Sequence, residues 1–154
     1  MKKIILILIA LTAITAGCVK YEEGACISNL SVKKRIYGFH TLTEYYVNDV
    51  DSLSQYYDSL GLSFDFIYDE DAYIDACIMD GLRKDGAGTY LLWNWNLSDH
   101  NKYLNCTATG GTIIGIGPFG KNKMPVWEIL KLGKEQIKLK TLYNNKEYKI
   151  ALNR

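Results

Sequence analysis

Residues 125–154 read PVWEILKLGKEQIKLKTLYNNKEYKIALNR, and apolar and charged residues alternate along three short runs of this stretch. A period of two is typical of antiparallel strands with one face in the core and the other in water. Gly133 separates the first two runs. Asn144-Asn145 separates the last two, and asparagine tolerates the positive φ angles of a tight hairpin turn. The stretch therefore predicts a three-stranded antiparallel meander.

The same kind of pattern continues upstream. Residues 51–60 have apolar side chains at helical spacing, which predicts a short helix or turn capped by Asp51 or Ser52 and ended by Gly61. The other segments are rich in β-forming residues and predict strands at 35–47, 62–68, 72–80, 89–97 and 102–108. With the meander there are about eight strands joined by short connections, which predicts an all-β, antiparallel up-and-down barrel.

Two upstream segments have less regular patterns. In residues 72–80 we expect Ile74, Ala76 and Ile78 to face inward, which would place Cys77 on the opposite face. Residues 109–123 contain five glycines and are expected to form a loop, with a short strand at 112–116. They lack the Gly-Lys-Ser/Thr ending of a phosphate-binding loop, so no phosphate site is expected.

The N-terminus has the organisation of an export signal: Met1-Lys2-Lys3, then about eleven apolar residues, then small residues. The apolar run is shorter than the roughly 20 residues that a membrane-spanning helix needs. Its ending, Thr15-Ala16-Gly17-Cys18, resembles the lipobox of bacterial lipoproteins. In that family the signal is cut before the cysteine, which receives a diacylglycerol, and the new amino terminus is acylated with a fatty acid such as palmitate.

This resemblance implies three parts: a signal peptide at 1–17, a lipidated tether at 18–31 and a β-barrel domain at 32–154. Cys18 would attach the protein to a membrane. Val19 follows it, so the aspartate that retains some lipoproteins at the inner membrane is absent. We therefore expect an outer-membrane lipoprotein, on either the periplasmic or the surface-facing side.

The charge balance gives no reason to expect nucleic-acid binding. The chain has 18 basic and 17 acidic residues, and Lys2 and Lys3 leave with the signal. The charges are unevenly placed, with eleven acidic residues in 44–85 and nine basic residues in 121–154. We expect these to be solvated outer faces that lie together where the ends of the barrel sheet meet.

Cys26, Cys77 and Cys106 remain after Cys18 is lipidated. An oxidising compartment permits one intramolecular disulfide among them. Opposite strand faces disfavour a bond between Cys77 and Cys106, which leaves Cys26 with Cys77 or with Cys106, or free buried thiols. No pair has the Cys-x-x-Cys spacing of a redox or zinc site.

Several motifs resemble those of bacterial lipocalin-like lipoproteins. Trp127-x-Ile129, Ile137-x-Leu139 and Tyr148-x-Ile150-x-Leu152 resemble the closing strands of that family. Upstream, Gly88-Thr89-Tyr90 and the run from Trp95 to Asp99 resemble its earlier strands. The resemblance covers roughly residues 35–154 and implies an eight-stranded antiparallel lipocalin-like barrel, which has no exposed edges.

No catalytic constellation is evident. His40 and His100 have no accompanying nucleophile motif, the Asp-x-Asp-x-Asp-Gly spacing of a calcium loop is absent, and we expect no enzyme activity, cofactor or metal. Asp51-Ser52-Leu53 and Asp58-Ser59-Leu60 resemble sites that some exported bacterial proteins O-glycosylate, on Ser52 and Ser59.

An eight-stranded barrel either fills with side chains or holds one small ligand. The candidate lining residues of such a cavity are Phe64, Phe66, Trp93, Trp95 and Trp127. The sequence therefore predicts a binding module for a small apolar ligand. The alternative is an envelope interaction or inhibitor protein that contacts another macromolecule through loops 48–60 or 109–124.

Overall fold

The computed structural model describes residues 32–69, 74–83, 88–112, 117–119 and 125–154. Two short helices are present: α1 (Val32–Ile36) and α2 (Leu53–Tyr56). The strands are β1 (Gly38–Val47), β2 (Val50–Asp51), β3 (Tyr57–Asp69), β4 (Ile74–Arg83), β5 (Gly88–Ser98), β6 (Tyr103–Thr112), β7 (Trp127–Leu132), β8 (Gln136–Tyr143) and β9 (Lys146–Asn153). In the described part of the chain, neither helix is long and apolar enough to cross a membrane.

The strands form one antiparallel sheet that closes on itself. From β3 to β9 each strand pairs with the next, and β1 pairs with both β3 and β9. The two-residue β2 attaches only to β1, so eight of the nine strands make the barrel. This confirms the predicted all-β, closed eight-stranded antiparallel barrel with a short helix after the first long strand.

The C-terminal meander has the predicted form. β8 and β9 pair from Gln136↔Asn153 to Tyr143↔Lys146 without a break. Asn144 and Asn145 join them at φ angles of 49° and 59°, the left-handed conformation that a two-residue hairpin requires. The alternating apolar side chains of β7, β8 and β9 are buried in the core, as the period of two predicts.

The closing seam joins the two ends of the sequence. β1 and β9 pair from Thr41↔Asn153 to Val47↔Tyr148. On the outer surface the Lys149 ammonium lies 2.7 Å from Asp49, and that of Lys138 lies 4.0 Å from Glu44. The basic C-terminal face therefore lies beside acidic residues of the first half, as expected. Such exposed pairs are screened by water and contribute little to stability.

Two predicted boundaries are wrong. The first strand begins at Gly38 and not at residue 35, because the preceding residues form α1 and Gly38 turns the chain with a φ of 110°. The helix after it is a single turn, Leu53–Tyr56, which begins where the Leu53 N–H donates to Asp51 Oδ1 at 3.0 Å. Gly61 lies inside β3, in a stretch where the pairing with β4 shifts register, and does not end that helix.

The predicted inward face of β4 is also wrong. Cys77 and Met79 belong to the core cluster. On the other face Ile74 and Ile78 are half-buried, and Ala76 is buried but lies outside that cluster. The reason is the register with β3, in which Cys77 lies opposite Phe66 and Met79 opposite Phe64. Because both faces of β4 carry apolar residues, its own sequence could not decide between them.

The glycine-rich segment is partly a strand. β6 continues through Gly110 and Gly111 to Thr112, which corrects the expectation of a loop from residue 109. Gly111 has a φ of 119°, and a Cβ there would lie 2.4 Å from the Tyr90 carbonyl oxygen on β5. Glycine is therefore what lets β6 stay paired with β5 at this point. The short strand predicted at 112–116 falls largely outside the described residues.

Candidate functional site

The five predicted lining residues are all buried inside the barrel, each with at most 3% of its surface exposed. They come from three strands: β3 supplies Phe64 and Phe66, β5 supplies Trp93 and Trp95, and β7 supplies Trp127. The rings of Phe64 and Trp93 are in contact, as are those of Phe66 and Trp95, with centroids 5.8 Å apart in each pair. Trp127 lines the same small cavity as Phe64, Phe66 and Trp93. The structure thus brings the predicted set together.

The two ends of the barrel differ. We call the end with the turns at Asn48-Asp49 and Asn144-Asn145 the mouth; these turns are joined by the Asn48 N–H, which donates to the Glu147 carbonyl at 2.8 Å. The other end, the base, holds α1 and the C-terminal Arg154. Antiparallel pairing places the connection between β6 and β7 at the mouth, because β6 runs from base to mouth.

A sixth ring, Phe119, fills the mouth half of the interior. It belongs to the connection between β6 and β7, yet only 2% of it is exposed. Its ring is nearly parallel to that of Trp93, at 7° and 6.3 Å, and to that of Trp127, at 23° and 5.6 Å. The ring centroids of Phe64 and Tyr45 lie 5.8 Å and 6.2 Å from that of Phe119. Phe119 is therefore the occupant of the predicted cavity.

Sequence reasoning missed Phe119 and Tyr45 as members of this site. The available signal was the run Gly117-Pro118-Phe119, a single aromatic residue in a glycine-rich segment. Gly117 has a φ of 58°, and a Cβ there would lie 2.6 Å from Tyr45 Oη and 3.0 Å from Tyr148 Cε1. The absence of a side chain at Gly117 lets the chain pass close to these two rings while Phe119 enters the barrel.

Very little space remains among these rings. The cavity lined by Phe64, Phe66, Trp93, Trp127 and Phe119 measures about 10 Å³, which is about the volume that one water molecule needs. Among these described rings there is therefore no room for a ligand while the Phe119 ring is in place.

The indole N–H groups of the two β5 tryptophans have different environments. That of Trp95 donates to the Ala76 carbonyl oxygen at 3.0 Å. That of Trp93 is buried and has no acceptor among the described residues. A buried donor without a partner costs roughly 1–3 kcal/mol, so the Trp93 N–H would gain from any acceptor brought next to it.

The base is closed by polar contacts around α1. The Tyr37 hydroxyl donates to Asp75, which also pairs with Lys33, and the Tyr37 ring packs edge-on against Trp95 at 5.6 Å. Burial, together with the bond to Asp75, raises the pKa of Tyr37 to about 12. The Arg154 guanidinium donates to the Tyr37 carbonyl oxygen, so the C-terminus is tied to the segment that enters the barrel.

His40 lies beneath α1 and is completely buried. Its Nε2 lies 2.9 Å from the Ile36 carbonyl oxygen, which can only accept, so Nε2 carries the proton. Its Nδ1 has no partner in the described part of the chain. Burial lowers the pKa of His40, and the neutral ring packs edge-on against Phe66. We assign it a role in packing.

Within the described residues Cys77 and Cys106 form no disulfide, and both face the interior. The expectation that they lie on opposite faces is wrong, but β5 separates their strands, with Cys77 opposite Trp93 and Cys106 opposite Trp95. Two strand spacings amount to roughly 9–10 Å, beyond the reach of a disulfide. Burial raises the pKa of Cys106 to about 12 and also raises that of Cys77.

Four predicted modification or disulfide sites remain: Cys18, Cys26, Ser52 and Ser59. Cys18 and Cys26 are outside the described residues, so lipidation and the Cys26 disulfide stay predictions. Ser52 is 5% exposed and its hydroxyl donates to the Val50 carbonyl at 3.0 Å, and its O-glycosylation stays a prediction. The side chain of Ser59 is not among those the structure describes.

Within the described ranges, no three His, Cys, Asp or Glu side chains come together in a way that could hold a metal ion. In comparisons with protein-family models, curated proteins and solved structures, no match to this chain was found.

Proposed function

We propose that this protein is a non-enzymatic binding module that takes one small apolar ligand into the mouth of its barrel, where the ligand replaces the Phe119 ring. The observation that carries the proposal is the position of Phe119. It comes from a connection between strands, yet its ring stacks on Trp93 and Trp127 in the interior. A ligand of similar shape would meet the same surfaces.

The exchange is energetically feasible. Burying a phenylalanine side chain contributes about 1.5–3 kcal/mol, and each aromatic pair adds about 0.5–1.5 kcal/mol. A ligand that recovers these contacts offsets the loss of the Phe119 ring. Its apparent affinity falls in proportion to the fraction of molecules in which the site is vacant. Removing the Phe119 ring should therefore raise the affinity.

The location of the module follows from its N-terminus. We propose that Cys18 carries the lipid, and that residues 18–31 hold the barrel at the outer membrane. The basis is the sequence from Met1 to Cys18, and two or more acyl chains make such an attachment stable because each buried methylene contributes about 0.8 kcal/mol.

The proposal is tested with the neutral fluorescent probe N-phenyl-1-naphthylamine, titrated into the wild-type barrel and into Phe119→Ala. We expect one probe per barrel and at least roughly tenfold tighter binding to the variant, which corresponds to a competing contact of about 1.4 kcal/mol. Phe119→Leu keeps an apolar plug without a stacking ring and should give an intermediate affinity. Phe39→Ala, at a side chain that is 60% exposed near the base, is the control and should match the wild type.

Native mass spectrometry of protein purified without detergent exchange is a second test, in which a mass above that of the protein alone indicates a bound molecule. If near-UV circular dichroism shows that Phe119→Ala and Phe119→Leu are folded and neither they nor the wild type bind the probe, the proposal is overturned.

A second function is favoured by the exposed side chains at the mouth. Val50, Val126 and Leu142 are 60%, 53% and 71% exposed, and the register places all three at that end. With a filled interior, the barrel would then serve as a scaffold that presents this rim to another envelope macromolecule. A photo-crosslinking residue at position 50 or 142 should give a discrete adduct in intact cells, and one at Phe39, which is 60% exposed near the base, should not. Equal adducts from all three positions would count against it.

A further inference from the structure

Three features of the mouth restrict which ligand could replace Phe119: the orientation of the rings, the unpaired Trp93 N–H and the lack of charge. The inference drawn from them rests on the proposed function, since it names the ligand class for the same site.

The first feature is planarity. The Phe119 ring lies within 7° of the plane of Trp93 and within 23° of that of Trp127, so both indoles offer their faces to the same flat group. Phe64 meets that group at 55°, closer to edge-on. Parallel faces with an edge beside them suit a flat aromatic ring, because stacked and edge-to-face contacts are the favourable ones. A flexible saturated chain would not use this arrangement.

The second feature is the hydrogen-bond donor. Trp93 lines the remaining cavity, and its buried indole N–H donates to nothing in the part of the chain that the structure describes. The hydrocarbon ring of Phe119 has no acceptor atom to offer it. A ligand with a carbonyl or ether oxygen at its edge could accept this hydrogen bond and so gain a contact that Phe119 lacks. The indole N–H of Trp95 already donates to the Ala76 carbonyl oxygen, so it needs no acceptor from a ligand.

The third feature is the lack of charge. The residues around the cavity are aromatic or aliphatic apart from the Cys106 thiol, whose surroundings disfavour the thiolate. A carboxylate or ammonium buried here would lose its hydration with no counter-ion among these lining residues. This disfavours fatty acids, whose head group is charged at neutral pH, and favours neutral ligands.

We infer that the ligand is a neutral, planar aromatic molecule with a hydrogen-bond acceptor at its edge, which stacks on Trp127, lies offset from the Trp93 ring and is oriented by the N–H at the edge of that indole. The class includes aryl ketones and aryl ethers. Phe119 occupies the same place as an intramolecular substitute that stacks but cannot accept the hydrogen bond.

A matched pair of probes tests this inference by isothermal titration calorimetry. 2-Acetylnaphthalene and 2-ethylnaphthalene have the same ring system and nearly the same size, and only the ketone has an acceptor. We expect the ketone to bind Phe119→Ala roughly three- to tenfold more tightly than the hydrocarbon, the range that one hydrogen bond gives. Dodecanoate, a charged aliphatic probe, should bind more weakly than either.

Two tryptophan variants test whether the preference for the ketone comes from the Trp93 N–H. Trp93→Phe in the Phe119→Ala background keeps an aromatic ring but removes the N–H, and the two naphthalenes should then bind equally. Trp95→Phe in the same background removes an N–H that already has an acceptor, and the ketone should keep its advantage.

The outcomes separate this inference from the function on which it rests. If neither naphthalene nor dodecanoate binds the folded Phe119→Ala protein, the proposed function fails. If the naphthalenes bind Phe119→Ala equally, or Trp93→Phe weakens both by the same factor, the orienting role of Trp93 is overturned while a binding module remains. If dodecanoate binds most tightly, the ligand class is wrong and the module remains.

Discussion

The ring of Phe119 lies 6.3 Å from that of Trp93, with the two planes 7° apart, and so a residue from a connection completes the stack inside the barrel. The two indoles nearly parallel to this ring are held by strand pairing: Trp93 lies opposite Cys77 on β4 and Trp127 opposite Leu104 on β6. Phe119 lies outside these strands and forms only an isolated β-bridge, so its ring is held mainly by its side-chain contacts. The Phe119 ring and a ligand therefore compete for the same place in the interior. A change that weakens the contacts of the Phe119 ring should favour binding of the ligand.

Gly117→Ala should weaken the packing of the Phe119 ring in the interior without removing the ring. Alanine would be strained at a φ of 58°, and its Cβ would lie 2.6 Å from Tyr45 Oη. We expect a loss of roughly 1–2 kcal/mol in the free energy of unfolding, measured with urea, and tighter binding of N-phenyl-1-naphthylamine. Gly88→Ala is the matched control, because a Cβ there would meet nothing within 4 Å. Unchanged stability and unchanged probe affinity in Gly117→Ala would show that Gly117 does not position Phe119.

His40 should make the barrel less stable as the pH falls. Burial lowers its folded-state pKa below the ordinary value of 6.5, so below pH 6.5 the unfolded chain binds a proton that the folded barrel does not. Its contribution is complete above pH 6.5 and is lost as the pH falls from there towards the folded pKa, by at most about 1.4 kcal/mol per pH unit. Urea unfolding at pH 7.5, 6.5 and 5.5 measures this slope.

The two histidines provide the comparison. His40→Gln, which leaves no titrating group beneath α1, should flatten the slope between pH 6.5 and 5.5. His100→Gln should retain it, because the side chain of His100 is 97% exposed in a turn. A slope that persists in His40→Gln would assign the effect to other groups.

The Tyr37 hydroxyl should lose its proton at a higher pH than an ordinary tyrosine does. Its pKa is raised to about 12 by burial and by its bond to Asp75, so the folded barrel keeps this proton after the unfolded chain has lost it. The contribution of Tyr37 to stability is therefore complete below about pH 10 and is lost as the pH rises from there towards 12. Difference absorbance at 295 nm should show one tyrosine fewer at high pH in Tyr37→Phe.

Removing the Tyr37 hydroxyl should also cost about 1 kcal/mol at pH 7, since a hydrogen bond to a carboxylate at the base is lost. Tyr68→Phe, at a ring that is 47% exposed, should leave the stability unchanged. Equal stability of Tyr37→Phe and Tyr68→Phe would contradict a role for the Tyr37–Asp75 contact in closing the base.

Cys77 and Cys106 should resist alkylation in the folded protein. Both thiols are buried, and burial raises both pKa values, that of Cys106 to about 12, so little thiolate is present at pH 8. Iodoacetamide labelling followed by peptide mapping should modify both residues in guanidinium chloride and neither one in buffer. Equal labelling under the two conditions would contradict their burial. The same map tests the predicted disulfide, because a bond from Cys26 to Cys77 or Cys106 would appear as a linked peptide.

Cys18→Ala should release the protein from the membrane. Without the thiol no diacylglycerol can be attached, so the acyl chains that anchor the tether are lost. In cells fed alkynyl palmitate, the wild type should carry the label and sediment with the outer membrane, whereas Cys18→Ala should do neither. Cys26→Ala is the control and should remain labelled. Label retained in Cys18→Ala would contradict the proposed attachment site.

The strands and most hairpins could be predicted from the sequence because their signals are local. A period of two along residues 137–152 and a pair of asparagines between the runs determine β8, β9 and their turn, whatever the rest of the chain does. The five lining aromatics could also be predicted, because each one lies on the apolar face of its own alternating strand.

Tertiary structure decided the features that depend on partners far away in sequence. The inward face of β4 follows from its register against Phe64 and Phe66, since both of its faces are apolar. The position of Phe119 follows from contacts with Tyr45, Trp93 and Trp127, on three strands that no local pattern relates to residues 117–119. Alternation thus determined a barrel with an aromatic interior, but whether that interior is vacant or filled depended on long-range packing.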